Sequence, residues 1–140
     1  MRPTWEEYAL DLAIAAAGRS EDPYMKVGAC ILRADKSVAG VGYNGAPRGI
    51  NLDWTERDER RKYVLHAELN ALRYCTLTDT IGGLLAVTHL PCEQCLKTIA
   101  AYDIHHVVYA HELDWNTYSR EAITQVAATF GISLNKKERE

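Results

Sequence analysis

No apolar stretch in this chain approaches the roughly 18 residues that a membrane-spanning helix needs, which predicts no membrane partner. Positive charge is also scarce. Sixteen Lys and Arg stand against nineteen Asp and Glu, a formal net charge of −3. A general basic footprint for a nucleic-acid backbone is therefore excluded, although a local basic patch stays open. The opening Met1-Arg2-Pro3-Thr4-Trp5-Glu6-Glu7 turns acidic at once, so no secretory signal is expected. Internal repeats, low-complexity runs and linkers are missing, and 140 residues are too few for two ordinary domains. One soluble domain over residues 1–140 is predicted, with an ordinary 47% hydrophobic and 25% charged content. Cysteine is sparse as well: Cys30, Cys75, Cys92 and Cys95. Without an export signal they are expected in the reducing cytoplasm, where a Cys-x-x-Cys pair more often serves metal or redox chemistry than a structural bridge.

What is present reads as alternating elements. Thr4 with Glu7 forms a capping box for a first helix that Gly18 can end, with Trp5, Tyr8, Leu12 and Ala15 or Ala16 as its apolar stripe. Residues 27–32 and 37–43 read as two strands joined by the polar turn Arg33-Ala34-Asp35-Lys36, an antiparallel hairpin. The segment 53–62 is highly charged and is expected to be an exposed loop with some helical turn. A second helix is predicted over 64–75 and a strand over 84–90. Pro91 then opens a helix ending near Tyr102, followed by a strand at 106–110, a helix at 119–130 and a short strand at 132–134. Strands separated by helices permit right-handed parallel crossovers. The predicted fold class is α/β: a three-layer α/β/α sandwich whose mixed five-stranded sheet combines the hairpin with parallel strands.

The chemistry concentrates in His66-Ala67-Glu68 and Pro91-Cys92-Glu93-Gln94-Cys95. Positions i and i+3 share one side of a helix, so Cys92 and Cys95 can reach one ion. A helix N-terminus favours thiolate, and His66 opens another helix, so two N-termini can converge on one cation. Thiolate and imidazole are preferred zinc ligands. Three protein ligands leave a fourth position for water, the pattern of a catalytic rather than a structural site. Such a water can lose its proton near neutrality, and Glu68, two residues from His66, is placed to take that proton and return it to a leaving group. His-x-Glu with Pro-Cys-x-x-Cys is the established signature of zinc-dependent nucleobase deaminases.

Blander readings stand beside this one. A structural zinc site would require His89 as fourth ligand, but that residue falls in the preceding strand. His105, His106 and His111 flank a strand and read as surface or satisfied polar residues. Cys30 and Cys75 lie among apolar neighbours and read as core thiols.

Over about residues 5–134 the chain resembles the deoxycytidylate (dCMP) deaminase branch of the zinc-dependent cytidine deaminase superfamily. The resemblance is carried by Ser20-Glu21-Asp22-Pro23, Lys26-Val27-Gly28-Ala29, the run from Gly42-Tyr43-Asn44-Gly45 through Ala46-Pro47-Arg48-Gly49, His66-Ala67-Glu68-Leu69-Asn70-Ala71 and the Cys92–Cys95 motif. It implies hydrolytic deamination of dCMP to dUMP and ammonia with one Zn2+ per subunit: zinc hydroxide adds to C4 while Glu68 shuttles the proton, supplying dUMP for thymidylate synthesis. It further implies that the Ala67 N–H meets the base carbonyl and Asn44 the sugar 3′-hydroxyl. Arg48 and Lys26 are candidate phosphate contacts, each as open to being a solvated charge. Lys26, Asn44, Gly45 and Asp53 would form an allosteric nucleotide site for dCTP as activator and dTTP as inhibitor, with Mg2+ accompanying the triphosphate, in a homo-hexamer. Relatives place a tyrosine in the loop after the fourth strand; here Trp115 or Tyr118 is expected near the nucleotide. The same C4 chemistry would serve dCTP or a 5-substituted dCMP. A nucleic-acid (tRNA) deaminase is disfavoured by the acidic charge and the Cys-Glu-Gln-Cys filler.

Overall fold

The computed structural model describes residues 1–112 and 120–139. Five strands form one sheet in the order β2-β1-β3-β4-β5: β1 (Gly28–Leu32), β2 (Val38–Tyr43), β3 (Leu84–His89), β4 (His106–His111) and β5 (Ser133–Lys136). β1 runs antiparallel to both β2 and β3, whereas β3, β4 and β5 are parallel. The expected mixed sheet is therefore present, with a hairpin at one edge and a parallel half beyond it.

Helices cover both faces. On one side α1 (Trp5–Ala17) packs Ala9, Leu10 and Ala13 against Cys30, Leu32, Ala86, Val108 and Ala110. On the other, α3 (Ala67–Leu72), α5 (Glu93–Ala101) and α6 (Arg120–Thr129) bring Ala71, Leu72, Leu96, Ile99 and Ile123 onto Ala29, Ile31, Leu85, Val87 and Val107. Alternate residues of β1 and β3 thus serve the two cores in turn, which is why both strands read as continuous apolar runs. The short α2 (Arg57–Arg61) and α4 (Leu77–Thr80) complete the described elements.

Three expectations change. The buried stripe of α1 is Ala9, Leu10, Ala13, Ala16 and Ala17, while Trp5 and Tyr8 lie outside as an edge-to-face pair. The reason is close approach: a Cβ on Gly28 would stand 1.9 Å from the Ala13 carbonyl oxygen and 2.6 Å from the Ala17 nitrogen, so where α1 crosses Gly28 it must present small residues. The helix expected over 64–75 is shorter, Ala67–Leu72, and a separate α4 follows it from Leu77, where Thr76 adopts an extended backbone and caps the new helix through a box with Asp79. Finally, the charged segment is not wholly exposed: α2 buries Arg60. The remaining boundaries shift by a residue or two. Among the described residues no helix is long and apolar enough to cross a membrane.

Candidate active site

Two helix N-termini build the site. His66 is the N-cap of α3 and Cys92 the N-cap of α5, both with extended backbone, and neither side chain makes a cap hydrogen bond. A Ser, Thr or Asp at these positions would fold back onto the first-turn amides. His and Cys instead leave their donor atoms to point outward beside the positive end of each helix dipole. Pro91 precedes the cap rather than opening the helix, which starts at Glu93.

Cys95, in the first turn of α5, completes a trio. The Nδ1 of His66 lies 3.2 Å from the Cys95 sulfur and 3.6 Å from the Cys92 sulfur. All three ligand atoms fall within 4.8 Å of one another, and among the described residues no other such group of three occurs. Tetrahedral zinc, with bonds of about 2.3 Å to sulfur and 2.0–2.1 Å to nitrogen, separates neighbouring N and S donors by roughly 3.6 Å. The donor set and its spacing fit zinc. His89 stands apart: its Nδ1 pairs with the Thr88 hydroxyl at 2.8 Å and its ring packs against His111 at 5.3 Å between centroids. The structural-site alternative thereby loses its fourth ligand.

The electrostatics describe a cluster that holds protons where a cation would sit. A hydrogen bond from Cys95, joined by one from His66, holds the Cys92 thiol down to about 4 against the opposing effect of burial. The same shared bond, with burial and the nearby Glu68 carboxyl, pushes Cys95 far up. His66 is raised by its bond to Cys92, with burial opposing and the Glu68 charge assisting. Glu68, 4% exposed, is raised by burial, with the His66 charge pulling the other way. A divalent cation displaces such protons when it binds.

Residues 3–111 match the cytidine and deoxycytidylate deaminase zinc-binding region. The chain belongs to this family. It is 36% identical over 138 residues to the human deoxycytidylate deaminase, covering 90% of this chain and 78% of the relative. The deoxycytidylate deaminase of Mycobacterium phage D29 is 41% identical over 126 residues, covering 79% of this chain and 98% of the relative. The dCMP deaminase of cyanophage S-TIM5, solved with dCMP and dUMP, superposes with a TM-score of 0.79 at 30% identity over 98% of this chain and 99% of the other. This chain is thus a zinc-type deaminase, and its mixed sheet is that of the family.

The other expected site residues of this deaminase fall in three places. Ala67 is the first residue of α3, so its N–H has no carbonyl within the helix to reach. Asn44 is 7% exposed just past β2, and Gly45 follows it in an isolated antiparallel bridge to Leu65, the residue before His66. Its amide N–H reaches the Leu65 carbonyl at 3.1 Å, and the Leu65 N–H returns at 2.8 Å. Lys26, Arg48 and Asp53 are exposed; the Asp53 carboxylate caps its own turn, accepting from the Thr55 N–H at 3.0 Å and from its hydroxyl. Trp115, like Tyr118, lies outside the described residues. Composition concealed one group: Asp22 and Arg60 form an ion pair at 2.8 Å, with Asp22 2% exposed. Arg60 was indistinguishable in sequence from its solvated neighbours; only Asp22 sits in a stretch that carried the resemblance.

Proposed function

We propose that this protein hydrolyses the exocyclic amine of dCMP, giving dUMP and ammonia. The observation that carries the reading is a His-Cys-Cys trio of zinc spacing with a buried carboxyl, Glu68, at its edge. Support comes from the 30%-identical neighbour solved with dCMP and dUMP.

His66, Cys92 and Cys95 would hold the zinc, which supplies the Lewis acidity that makes a water nucleophilic near neutral pH. Glu68 accepts the proton of that water as its oxygen bonds to C4, and delivers it to N3. The same carboxyl then carries the proton of the new C4 hydroxyl to the amine, C4=O forms as the C4–N bond breaks, and ammonia leaves. Burial suits Glu68 to both halves, because a raised carboxyl pKa brings its two protonation states closer in energy. The Ala67 N–H, open at the helix start, suits the base carbonyl, and Asn44, one residue from the bridge to Leu65, suits the sugar. Arg48 or Lys26 would meet the phosphate, and Trp115 would pack near the nucleotide.

The regulatory reading rests on resemblance: dCTP activates and dTTP inhibits at a site with Lys26, Asn44, Gly45 and Asp53, Mg2+ accompanies the triphosphate, and six copies assemble. All 140 residues would act as one deaminase domain in a reducing, cytoplasmic setting, in keeping with four free cysteines.

The test compares ammonia release from deoxycytidine, dCMP and dCTP, each with and without dTTP and after chelation. Rapid turnover of dCMP that ends on zinc removal and recovers on zinc addition is expected. No release from any of the three at any effector level would refute the reading. Preference for dCTP, or for a 5-substituted dCMP assayed beside the three, would reassign the substrate alone.

A further inference from the structure

Asn44 is held from five directions. Its own N–H donates to the Val27 carbonyl at 3.1 Å and its carbonyl accepts the Ser20 hydroxyl at 2.9 Å. The side-chain Oδ1 accepts the Val27 N–H at 2.9 Å, while Nδ2 donates to the Met25 carbonyl at 2.9 Å and to Asp22 Oδ2 at 3.3 Å. An amide group can be turned end for end without changing its shape, so its partners decide which end is oxygen. Here they leave no choice. An N–H faces one end, and a carbonyl with a carboxylate faces the other. Both donors are taken, and only one lone pair of Oδ1 remains.

The carboxylate, which faces Nδ2 beside the Met25 carbonyl, is itself held. Asp22 Oδ1 accepts the N–H groups of Tyr24 at 2.8 Å and Met25 at 3.2 Å, and Oδ2 accepts Arg60 Nη1 at 2.8 Å. The Arg60 guanidinium sits under the Tyr24 ring, 4.5 Å from its centre, and its Nε is buried with no partner among the described residues. Burying a charge pair and leaving one donor unpaired are both unfavourable, and an apolar pair would fill the space at lower cost. That the fold retains this arrangement next to a segment bridged to Leu65, the residue before His66, points to a task beyond packing.

We propose that Asp22, fixed by Arg60, is a positioning residue that, with the Val27 and Met25 backbone, holds Asn44 as a hydrogen-bond acceptor, so that the site selects a sugar bearing a hydroxyl donor. The inference rests on the reading above that Asn44 meets the sugar 3′-hydroxyl. A 3′-hydroxyl can donate to the remaining lone pair of Oδ1; a sugar lacking that group leaves Asn44 unanswered.

The test measures kcat/KM of the zinc-loaded protein for dCMP and for 2′,3′-dideoxycytidine 5′-monophosphate. The ratio of the two cancels the active fraction, so partial misfolding of a variant does not disturb it. Wild type is expected to prefer dCMP by roughly tenfold or more, the effect of one buried hydrogen bond with a loss on each side. Asp22→Asn takes the carboxylate away from Asn44 Nδ2 and leaves the Met25 carbonyl to hold that end alone, so the preference should fall severalfold through a raised KM for dCMP. Arg60→Lys keeps the charge but not the fork, and should give an intermediate ratio. If wild type discriminates and both variants keep its ratio, Asp22 and Arg60 are structural only and this inference fails. A wild type that deaminates both nucleotides equally removes Asn44 from the sugar and overturns it too. One that deaminates neither overturns the underlying activity, a different result.

Discussion

Gly42 offers the sharpest probe of how the fold holds the His-Cys-Cys trio together. A Cβ at this position of β2 would stand 2.4 Å from the Ala71 nitrogen, 2.7 Å from the Asn70 carbonyl carbon and 2.8 Å from the Ala67 oxygen. All three are backbone atoms of α3, so no side chain can swing away. Restoring an ordinary contact of 3.4 Å requires α3 to retreat by roughly 1 Å. His66 and Glu68 travel with that helix, whereas Cys92 and Cys95 stay on α5. Metal sites tolerate distance errors of about 0.2 Å, so the trio would lose its spacing. Gly42→Ala should therefore weaken zinc at least tenfold and lower turnover by about 100-fold. Overpacking should also cost about 1–3 kcal/mol, lowering Tm by on the order of 5–10 °C. Gly28→Ala is the matched control. Its clash is worse, 1.9 Å from the Ala13 oxygen, but it presses on α1, which carries no site residue. The assay pairs thermal unfolding with zinc affinity from chelator competition and with turnover per folded molecule. Equal zinc affinity in the two variants, at matched folded fraction, would refute the reasoning that the β2–α3 contact sets the metal geometry.

Glu68→Gln keeps the shape of the side chain and should retain zinc while kcat falls by on the order of 10²–10⁴-fold, read from metal content and ammonia release together. Cys30 gives a pH prediction whose sign is fixed by burial, which pushes its thiol up to about 12 from 9.0. The unfolded chain loses that proton first, so stability declines as pH rises above 9. At pH 8 Cys30→Ala should be the less stable protein; at pH 10, in reductant, its deficit should shrink by about 1.4 kcal/mol. A deficit unchanged between the two pH values in denaturant titrations would contradict this. Arg139 pairs with Asp11 at 2.5 Å and with Glu7 at 3.5 Å on the surface of α1. Because these groups are solvated, Arg139→Ala should lower the melting temperature only slightly, and the loss should vanish in high salt.

Sequence alone was enough for most of the elements and for the three residues that the fold gathers into one cluster. Thr4 and Glu7 announce the first helix through a capping box, which the structure contains, and the apolar runs of β1 and β3 mark strands buried on both faces. His66, Glu68, Cys92 and Cys95 were legible because metal chemistry restricts residue type and spacing so tightly that few patterns qualify. What remained hidden depends on partners distant in the chain. Trp5 and Tyr8 look like core residues until Gly28 draws the alanines of α1 inward. Arg60 looks like solvent-facing charge until Asp22, 38 positions away, takes it into the interior. Local pattern records what a residue can do. Only the folded chain decides which neighbour it meets, because burial and pairing are set by contacts across the sheet rather than along the strand.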